Sequence, residues 1–238
     1  MSRIRTLLFD FDGTLMDSTQ IIVQSWQQVY KKVTGKETEL ETILSTFGSI
    51  LGDAIADAFP DEPTDELIKI YRDHNQEHFL EMIDLYPGIE KMLTELKRSG
   101  ITMALVTSRL KRTTMQAVGK FGLDRYFDVV ITANDCTKHK PDPEPILVAL
   151  EKLNELKARS CTEETDKKVI DPDTVMMVGD TIYDRECARR AGVKCALVAW
   201  APSVDVHSLR ESDRPEYLIE KPEDLPEIVK GSASSEKR

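Results

Sequence analysis

The chain has 238 residues, and its 32 Lys and Arg against 42 Asp and Glu give a formal net charge of −10 at pH 7. An acidic surface repels a phosphate backbone, so the composition argues against nucleic-acid binding. The sequence has no run of about 18 apolar residues, which argues against a membrane-spanning helix. The length suits one globular domain, or one domain that carries a smaller insert.

The start of the chain and its cysteines favour a cytoplasmic protein. Residues 1–5 are basic, but no long apolar segment with a small-residue cleavage site follows, so we expect no signal peptide. The cysteine spacings suit neither a zinc site nor a disulfide framework. We therefore expect reduced thiols that pack as small apolar side chains. The residues concerned are Cys136, Cys161, Cys187 and Cys195.

The chain opens with a predicted strand and continues with helices. Residues 4–11 form an apolar run typical of a buried strand, and Gly13 and Thr14 after it suit a turn. Residues 17–19 can cap a helix that Thr34-Gly35 ends. The apolar residues of that helix recur at helical spacing: Ile21, Ile22, Trp26, Val29, Tyr30 and Val33.

Three more helices are predicted before residue 87. They cover 40–47, 54–59 and a longer stretch from Thr64 up to the stop signal Pro87-Gly88. A loop at 48–52 separates the first two. None of these helices alternates with a strand.

Beyond residue 88 strands and helices alternate. Strands are predicted at 101–106, 129–132, 174–178 and 194–199, with a short sixth strand at 217–219. Helices lie between them, one that closes at Ser99-Gly100 and others at 111–121, 143–154 and 182–191. This alternation predicts an α/β fold, a Rossmann-like parallel sheet with helices on both faces.

The earlier helices interrupt that alternation and predict an inserted α-helical cap domain. The expected division is a core domain of residues 1–14 and 86–230 and a cap domain of residues 15–85. The small and polar residues 231–238 predict a disordered tail. Residues 157–173 are polar and charged and predict a surface loop.

Asp10 and Asp12 lie at the C-terminal end of the first strand, at the edge where open parallel sheets bind ligands. Residues two apart on extended backbone point to the same side, and two like charges raise one another's pKa. Such a pair suits a bound cation or a carboxyl that holds a proton. Asp10 can attack an electrophile or bind a metal, and Asp12 can act as general acid and base. The alternative is a simple turn.

Polar groups also end the next strands. Thr107 and Ser108 offer hydroxyls and N–H groups beside a helix start, which suits a phosphate cradle or a plain helix cap. Lys140 is followed by Pro141 and Pro143, which restrict where it points. It can neutralise a carboxylate or a phosphate, the alternative being a solvated loop. Asp180 and Asp184 are one helical turn apart and suit Mg²⁺, or alternatively an N-cap and a surface residue. A parallel sheet brings all these strand ends to one edge.

In this order the residues resemble the haloacid dehalogenase-like phosphohydrolase superfamily, in the branch with a small helical cap. The resemblance covers nearly the whole chain. The segments that carry it are Asp10-Phe11-Asp12-Gly13-Thr14, Thr107-Ser108, Lys140 and Gly179-Asp180-Thr181-Ile182-Tyr183-Asp184.

The resemblance implies a Mg²⁺-dependent phosphohydrolase. It makes Asp10 the nucleophile that becomes an aspartyl phosphate, Asp12 the general acid and base, and Lys140 the group that orients Asp10 and offsets its charge. It assigns phosphate binding to Gly13, Thr14, Thr107, Ser108, Arg109 and Lys140. It assigns Mg²⁺ to the carboxylate of Asp10, the backbone carbonyl of Asp12, Asp180 and Asp184.

Within the superfamily, residues 71–77, residues 138–145 and Ala199-Trp200 look like the branch of bacterial pyrophosphatases and phosphoglycolate phosphatases. The expected partner is a small phosphorylated substrate. A phosphomutase is the alternative, although the loop at 47–51 lacks the arginine that sugar-phosphate mutases place nearby. A non-catalytic protein that binds a phosphorylated ligand is a further alternative, although the catalytic set is intact. The sequence does not indicate an oligomeric state.

Two other patterns have alternative interpretations. His74 and His78 have a metal-like spacing on a helix, but without a third ligand nearby we favour a role on the face of the cap or in its core. Arg109, Lys111 and Arg112 form a basic run that can draw anions to a cleft or simply be a solvated helix start.

Overall fold

The computed structural model describes residues 3–160, 169–202 and 209–231. Its strands are β1 (Thr6–Phe9), β2 (Met16–Asp17), β3 (Asp84–Leu85), β4 (Thr102–Val106), β5 (Val129–Ile131), β6 (Val175–Gly179), β7 (Lys194–Val198) and β8 (Tyr217–Ile219). Its α-helices are α1 (Thr19–Thr34), α2 (Leu40–Leu44), α3 (Leu51–Ala58), α4 (Thr64–His78), α5 (Ile89–Arg98), α6 (Lys111–Phe121), α7 (Glu144–Ser160), α8 (Ile182–Ala191) and α9 (Asp224–Lys230).

Six strands form one parallel sheet in the order β5-β4-β1-β6-β7-β8. β1 is central, and Leu8 pairs with Ala104 on one side and Met177 on the other. Along the chain, β4 and β5 are added on one side of β1, and then β6, β7 and β8 are added on its other side. The order therefore reverses between β1 and β6, where such sheets place their ligand crevice.

Alternate residues of the strands pack into two separate hydrophobic cores, one on each face of the sheet. Leu7, Phe9 and Met103 belong to one core, which α5, α6 and α9 cover. Leu8 and Ala104 belong to the other, which α7 and α8 cover. The predicted α/β fold, with helices on both faces, is confirmed.

The helices between β2 and β3 have a core of their own. Trp26, Val29, Ile43, Ile55 and Phe59 are buried in it, together with Leu67. β2 and β3 pair antiparallel at the two ends of this helical segment. The domain boundaries stay a prediction, and we call residues 15–85 the insert.

Several predicted boundaries shift. α7 continues through Ser160, so the start of the predicted loop at 157–173 is helical, in line with the ion pair of Glu155 and Arg159 one turn apart. α2 ends at Leu44 and α3 begins at Leu51, which changes the limits of the loop between them. α9 was not predicted. The predicted tail beyond Gly231 and Cys161 lie outside the described residues.

The described helices are too short or too polar to cross a membrane. The thiols of Cys136, Cys187 and Cys195 are free, and the last two are buried as expected.

Candidate active site

Three of the predicted carboxylates meet where β1 and β6 end. Asp10, Asp180 and Asp184 each place one carboxylate oxygen within 4.8 Å of the others. Asp184 lies in the first turn of α8, and the Thr181 hydroxyl donates a 2.7 Å hydrogen bond to its Oδ2. This capping box holds Asp184 near the end of β6, so its carboxylate joins the two that follow the strands.

Lys140 lies at the centre of this acidic group. Its side chain is 4% exposed, and Nζ donates to Asp10 Oδ1 at 2.7 Å and to Asp184 Oδ1 at 2.6 Å. Burial alone would lower the pKa of Lys140, but the two carboxylates outweigh it and raise the pKa. The ammonium therefore stays charged, and the alternative of a solvated loop is excluded for Lys140.

One ammonium does not balance this set of carboxylates. Burial raises the pKa of Asp10 to about 7, Lys140 opposes the shift and the charge of Asp184 adds to it. A further cation among these oxygens would relieve the repulsion, and carboxylate oxygens are the ligands that Mg²⁺ prefers. The donor set therefore fits Mg²⁺.

The backbone of Gly13 packs directly against Asp180. Its φ is +77°, and a Cβ at this position would overlap the Asp180 carboxylate. The Thr14 hydroxyl donates to Asp180 Oδ1 at 3.1 Å, and the Thr14 carbonyl accepts a 3.1 Å hydrogen bond from Trp200 Nε1. Thr14 is fully buried behind Asp180 and does not line the cavity described below. Its geometry supports Asp180 rather than the predicted contact with phosphate.

Asp12 is not part of this group of three carboxylates and is held by Arg109 instead. Arg109 donates from Nε to Oδ2 at 2.9 Å and from Nη2 to Oδ1 at 2.7 Å, and the Ser18 hydroxyl donates to Oδ1 at 2.5 Å. Burial alone would raise the pKa of Asp12, but Arg109 and Ser18 outweigh it and lower the pKa. Arg109 was predicted to bind phosphate, and in the structure its guanidinium is committed to Asp12.

Thr107 and Ser108 lie at the end of β4, before the first turn of α6. The helix begins at Lys111, so neither residue is its cap, and that alternative is wrong. The buried Thr107 hydroxyl accepts a 3.1 Å hydrogen bond from the Arg109 backbone N–H, and Ser108 is exposed. Both line the cavity beside Asp10, which is compatible with their predicted contact with phosphate.

A cavity of about 340 Å³ lies between this edge of the sheet and the insert. Its floor is formed by the carboxylates, Lys140 and the end of β4. Its other walls come from the insert, on α1, α4 and the segment from Thr46 to Ala54. The Ser49 and Tyr183 hydroxyls lie 3.0 Å apart and join the insert to the start of α8.

Sequence reasoning missed Ser18 and Phe79. Ser18 was interpreted as part of a helix cap, but its side chain makes no cap hydrogen bond and binds Asp12 instead. The Phe79 ring packs 4.3 Å from the Arg109 guanidinium, a cation–π contact. Asn75 Oδ1 accepts a hydrogen bond from Arg109 Nη1 at 3.5 Å. In the sequence Phe79 and Asn75 look like ordinary helix residues.

The remaining candidates behave as the simpler interpretations predict. The rings of His74 and His78 lie 4.9 Å apart and His74 Nδ1 is 3.2 Å from the Ser25 hydroxyl, within the insert. Neither histidine belongs to a group of potential metal ligands in the described part of the chain. Lys111 and Arg112 are exposed, and Arg112 donates to Gln76 on the insert.

Comparisons with known proteins identify the family of the chain. The family model described as haloacid dehalogenase-like hydrolase matches residues 7–198. A PpaX protein of Caldanaerobacter subterraneus subsp. tengcongensis is 34% identical over 234 residues, 98% of each chain. Pyrophosphatase PpaX of Bacillus velezensis is 31% identical over 227 residues, which cover 95% of this chain and 97% of that one.

Solved structures show the same fold. A "putative phosphoglycolate phosphatase" from Lactobacillus plantarum has a TM-score of 0.79 at 25% identity, covering 95% of this chain and 100% of that one. A haloacid dehalogenase-like family hydrolase from Streptococcus pneumoniae has a TM-score of 0.77 at 22% identity, covering 94% and 98%. The chain therefore belongs to the haloacid dehalogenase-like hydrolase family and is a phosphatase of that family.

Proposed function

We propose that the chain is a Mg²⁺-dependent phosphohydrolase that cleaves a small phosphate ester or pyrophosphate through an aspartyl phosphate on Asp10. The observation that carries the proposal is the Lys140 ammonium between Asp10 and Asp184, in an acidic group that needs one more cation. The PpaX relatives favour pyrophosphate, and the Lactobacillus plantarum neighbour favours phosphoglycolate.

Asp10 is the nucleophile in this proposal. Lys140 holds Oδ1, so the other carboxylate oxygen is available to attack phosphorus. The new bond joins Asp10 to phosphorus while the bond from phosphorus to the leaving oxygen breaks. The Thr107 hydroxyl and the Ser108 N–H face the same cavity and hold the phosphoryl oxygens.

Asp12 moves the protons. The structure has Asp12 hydrogen-bonded to Arg109 and Ser18, and its ionised carboxylate can take a proton from the water that hydrolyses the aspartyl phosphate. The carboxyl protonated in this way then gives the proton to the leaving oxygen of the next substrate. Asp10, Asp180 and Asp184, with the Asp12 carbonyl, are the groups that would hold Mg²⁺. When bound, Mg²⁺ neutralises the phosphoryl oxygens and the carboxylates.

The test is a phosphate-release screen with Mg²⁺ over pyrophosphate, 2-phosphoglycolate, sugar phosphates and nucleotides. Asp10→Asn abolishes turnover while the variant stays folded, and Asp65→Asn, an exposed position on α4, keeps full activity. Acid-quenched wild-type enzyme carries phosphate that hydroxylamine releases. Turnover by Asp10→Asn would refute the mechanism. A strict need for a sugar bisphosphate would indicate a phosphomutase, and no release from any substrate would indicate a binding protein.

A further inference from the structure

The cavity above the phosphoryl site is divided into a polar floor and an apolar roof. We define the roof as Ile22, Trp26, Phe47, Ile50, Leu51 and Ala54, all of which line the cavity from the insert. The floor consists of the carboxylates, Lys140 and the Thr107 region. A ligand that fills this space therefore meets charge at the floor and the apolar patch at the roof, while polar side chains of the insert, among them Ser49 and Asn75, line the rest of the wall.

The roof is a firm surface because a packed core stands behind it. Trp26 is 2% exposed and its ring contacts Tyr71 edge-on, with 5.9 Å between centroids. Ile22, Phe47, Leu51 and Ala54 pack against the same buried cluster as Trp26. The apolar wall therefore belongs to the folded insert.

The charges around the cavity do not favour a second phosphate at the roof. Lys140 is engaged by Asp10 and Asp184, and Arg109 is held by Asp12. Among the described lining residues, Arg72 and His139 are the other basic side chains, and Arg72 is exposed on α4. Pyrophosphate has no apolar atoms to bury against the roof.

The volume also exceeds what the phosphoryl group needs. About 340 Å³ is within the range of roughly 300–1,000 Å³ found for organic ligands. We propose that the roof binds the leaving group of the substrate, and that this leaving group is a compact, uncharged, apolar alcohol of a phosphate monoester. This inference rests on the proposed function and narrows its substrate class.

The first experiment measures kcat/KM for methyl, ethyl, propyl and n-butyl phosphate with Mg²⁺, because these esters have similar leaving groups and differ in apolar length. Each buried methylene is expected to raise kcat/KM about threefold, so butyl phosphate exceeds methyl phosphate by more than about tenfold. Equal values along the series would overturn the proposal. So would a higher kcat/KM for phosphoglycolate than for butyl phosphate, because the cavity would then prefer a distal anion.

A matched pair of variants tests whether the preference for butyl over methyl phosphate depends on the roof. Ala54→Leu fills the roof, whereas Ala56→Leu makes the same change on the same helix at a position that does not line the cavity. Ala54→Leu should remove the advantage of butyl over methyl phosphate, and Ala56→Leu should keep it. An unchanged ratio in a folded Ala54→Leu variant would overturn the proposal.

Binding of non-hydrolysable analogues separates this inference from the proposed function. Methylphosphonate and butylphosphonate are titrated with Mg²⁺ present, and butylphosphonate should bind more than about tenfold more tightly. If no ester or anhydride is hydrolysed, the proposed function fails, yet this ratio still tests the roof. Equal affinities would overturn the inference even if pyrophosphate is hydrolysed.

Discussion

Arg109 holds both carboxylate oxygens of Asp12, with Nε 2.9 Å from Oδ2 and Nη2 2.7 Å from Oδ1. The two side chains are 10% and 25% exposed, so the pair is only partly screened by solvent. A fork of this kind fixes orientation as well as charge. Because Arg109 also packs on Phe79 and reaches Asn75, it connects the end of the sheet to the insert.

Replacing Arg109 should therefore leave Asp12 misplaced. We expect Arg109→Met to lower kcat/KM about tenfold or more and the free energy of unfolding by about 2 kcal/mol, since a charged hydrogen-bond partner is lost. Arg109→Lys keeps the charge but loses the two-pronged hydrogen bonding to Asp12, so its kcat/KM and stability should lie between those of wild type and Arg109→Met. Steady-state phosphate release and urea unfolding measure the two effects.

Arg112→Met is the control for Arg109. It removes another arginine of the same basic run, one that is exposed and donates a hydrogen bond to Gln76, and it should change kcat/KM less than twofold. Equal losses in both variants would show that the local positive charge matters and that the contact with Asp12 does not.

Gly13 provides a test of the close approach to Asp180. Gly13→Ala combines a strained positive φ with a Cβ that overlaps the Asp180 carboxylate. We expect it to lower stability by more than about 2 kcal/mol and to weaken Mg²⁺ binding, because Asp180 must move. Urea unfolding and Mg²⁺ titration are the measurements.

Gly35→Ala separates backbone strain from overlap. Gly35 has a similar φ of +73° at the end of α1, but its Cβ would meet nothing within 4 Å. Gly35→Ala should lower the free energy of unfolding by about 1 kcal/mol and leave Mg²⁺ binding unchanged. If Gly13→Ala also costs only about 1 kcal/mol and leaves Mg²⁺ binding unchanged, the packing of Gly13 against Asp180 does not contribute to metal binding.

The sequence predicted which residues meet, because that depends on strand order and on where strands end. Asp10, Lys140 and Asp184 needed only a parallel sheet to come together. The contacts of Arg109 with Phe79 and Asn75 could not be predicted, because they depend on where the insert lies relative to the sheet. The contact of Thr14 with Asp180 could not be predicted either, because it depends on the path of the turn that follows Asp12. β2 and β3 are too short to show an alternating pattern.

The turn after β5 should give stability a pH dependence through Asp135. Its Oδ2 accepts hydrogen bonds from the Thr132 N–H at 3.0 Å and hydroxyl at 2.7 Å, and Lys152 donates to Oδ1 at 3.3 Å. Burial alone would raise the pKa of Asp135, but these donors outweigh it and lower the pKa from 3.8. The folded state thus binds the proton less readily than the unfolded state.

A lowered folded-state pKa stabilises the protein above the unfolded pKa, and this contribution is lost as the pH falls through the folded pKa. Asp135→Asn should therefore cost about 1 kcal/mol at pH 7, and the difference from wild type should shrink below pH 4. Urea unfolding at pH 7, 5 and 3.5 tests this. The exposed control Asp124→Asn should have the same free energy of unfolding as wild type at each pH. If the stability difference between Asp135→Asn and wild type is the same at all three pH values, the charge of Asp135 has no role.

Removing the metal should destabilise the protein through the acidic group of Asp10, Asp180 and Asp184. In EDTA Lys140 offsets only part of their repulsion, so we expect no phosphate release and a lower melting temperature. Mg²⁺ at 100 times its dissociation constant should add about 2.7 kcal/mol of stability.

Asp180→Asn removes one of the charges of this acidic group. In EDTA the variant should therefore melt at a higher temperature than wild type, and Mg²⁺ should raise its melting temperature less. Asp57→Asn, on the exposed side of α3, should respond to EDTA and Mg²⁺ as wild type does. Equal Mg²⁺-induced shifts in wild type and Asp180→Asn would show that the ion binds elsewhere, because a carboxylate that contributes a ligand cannot be neutralised without weakening the site.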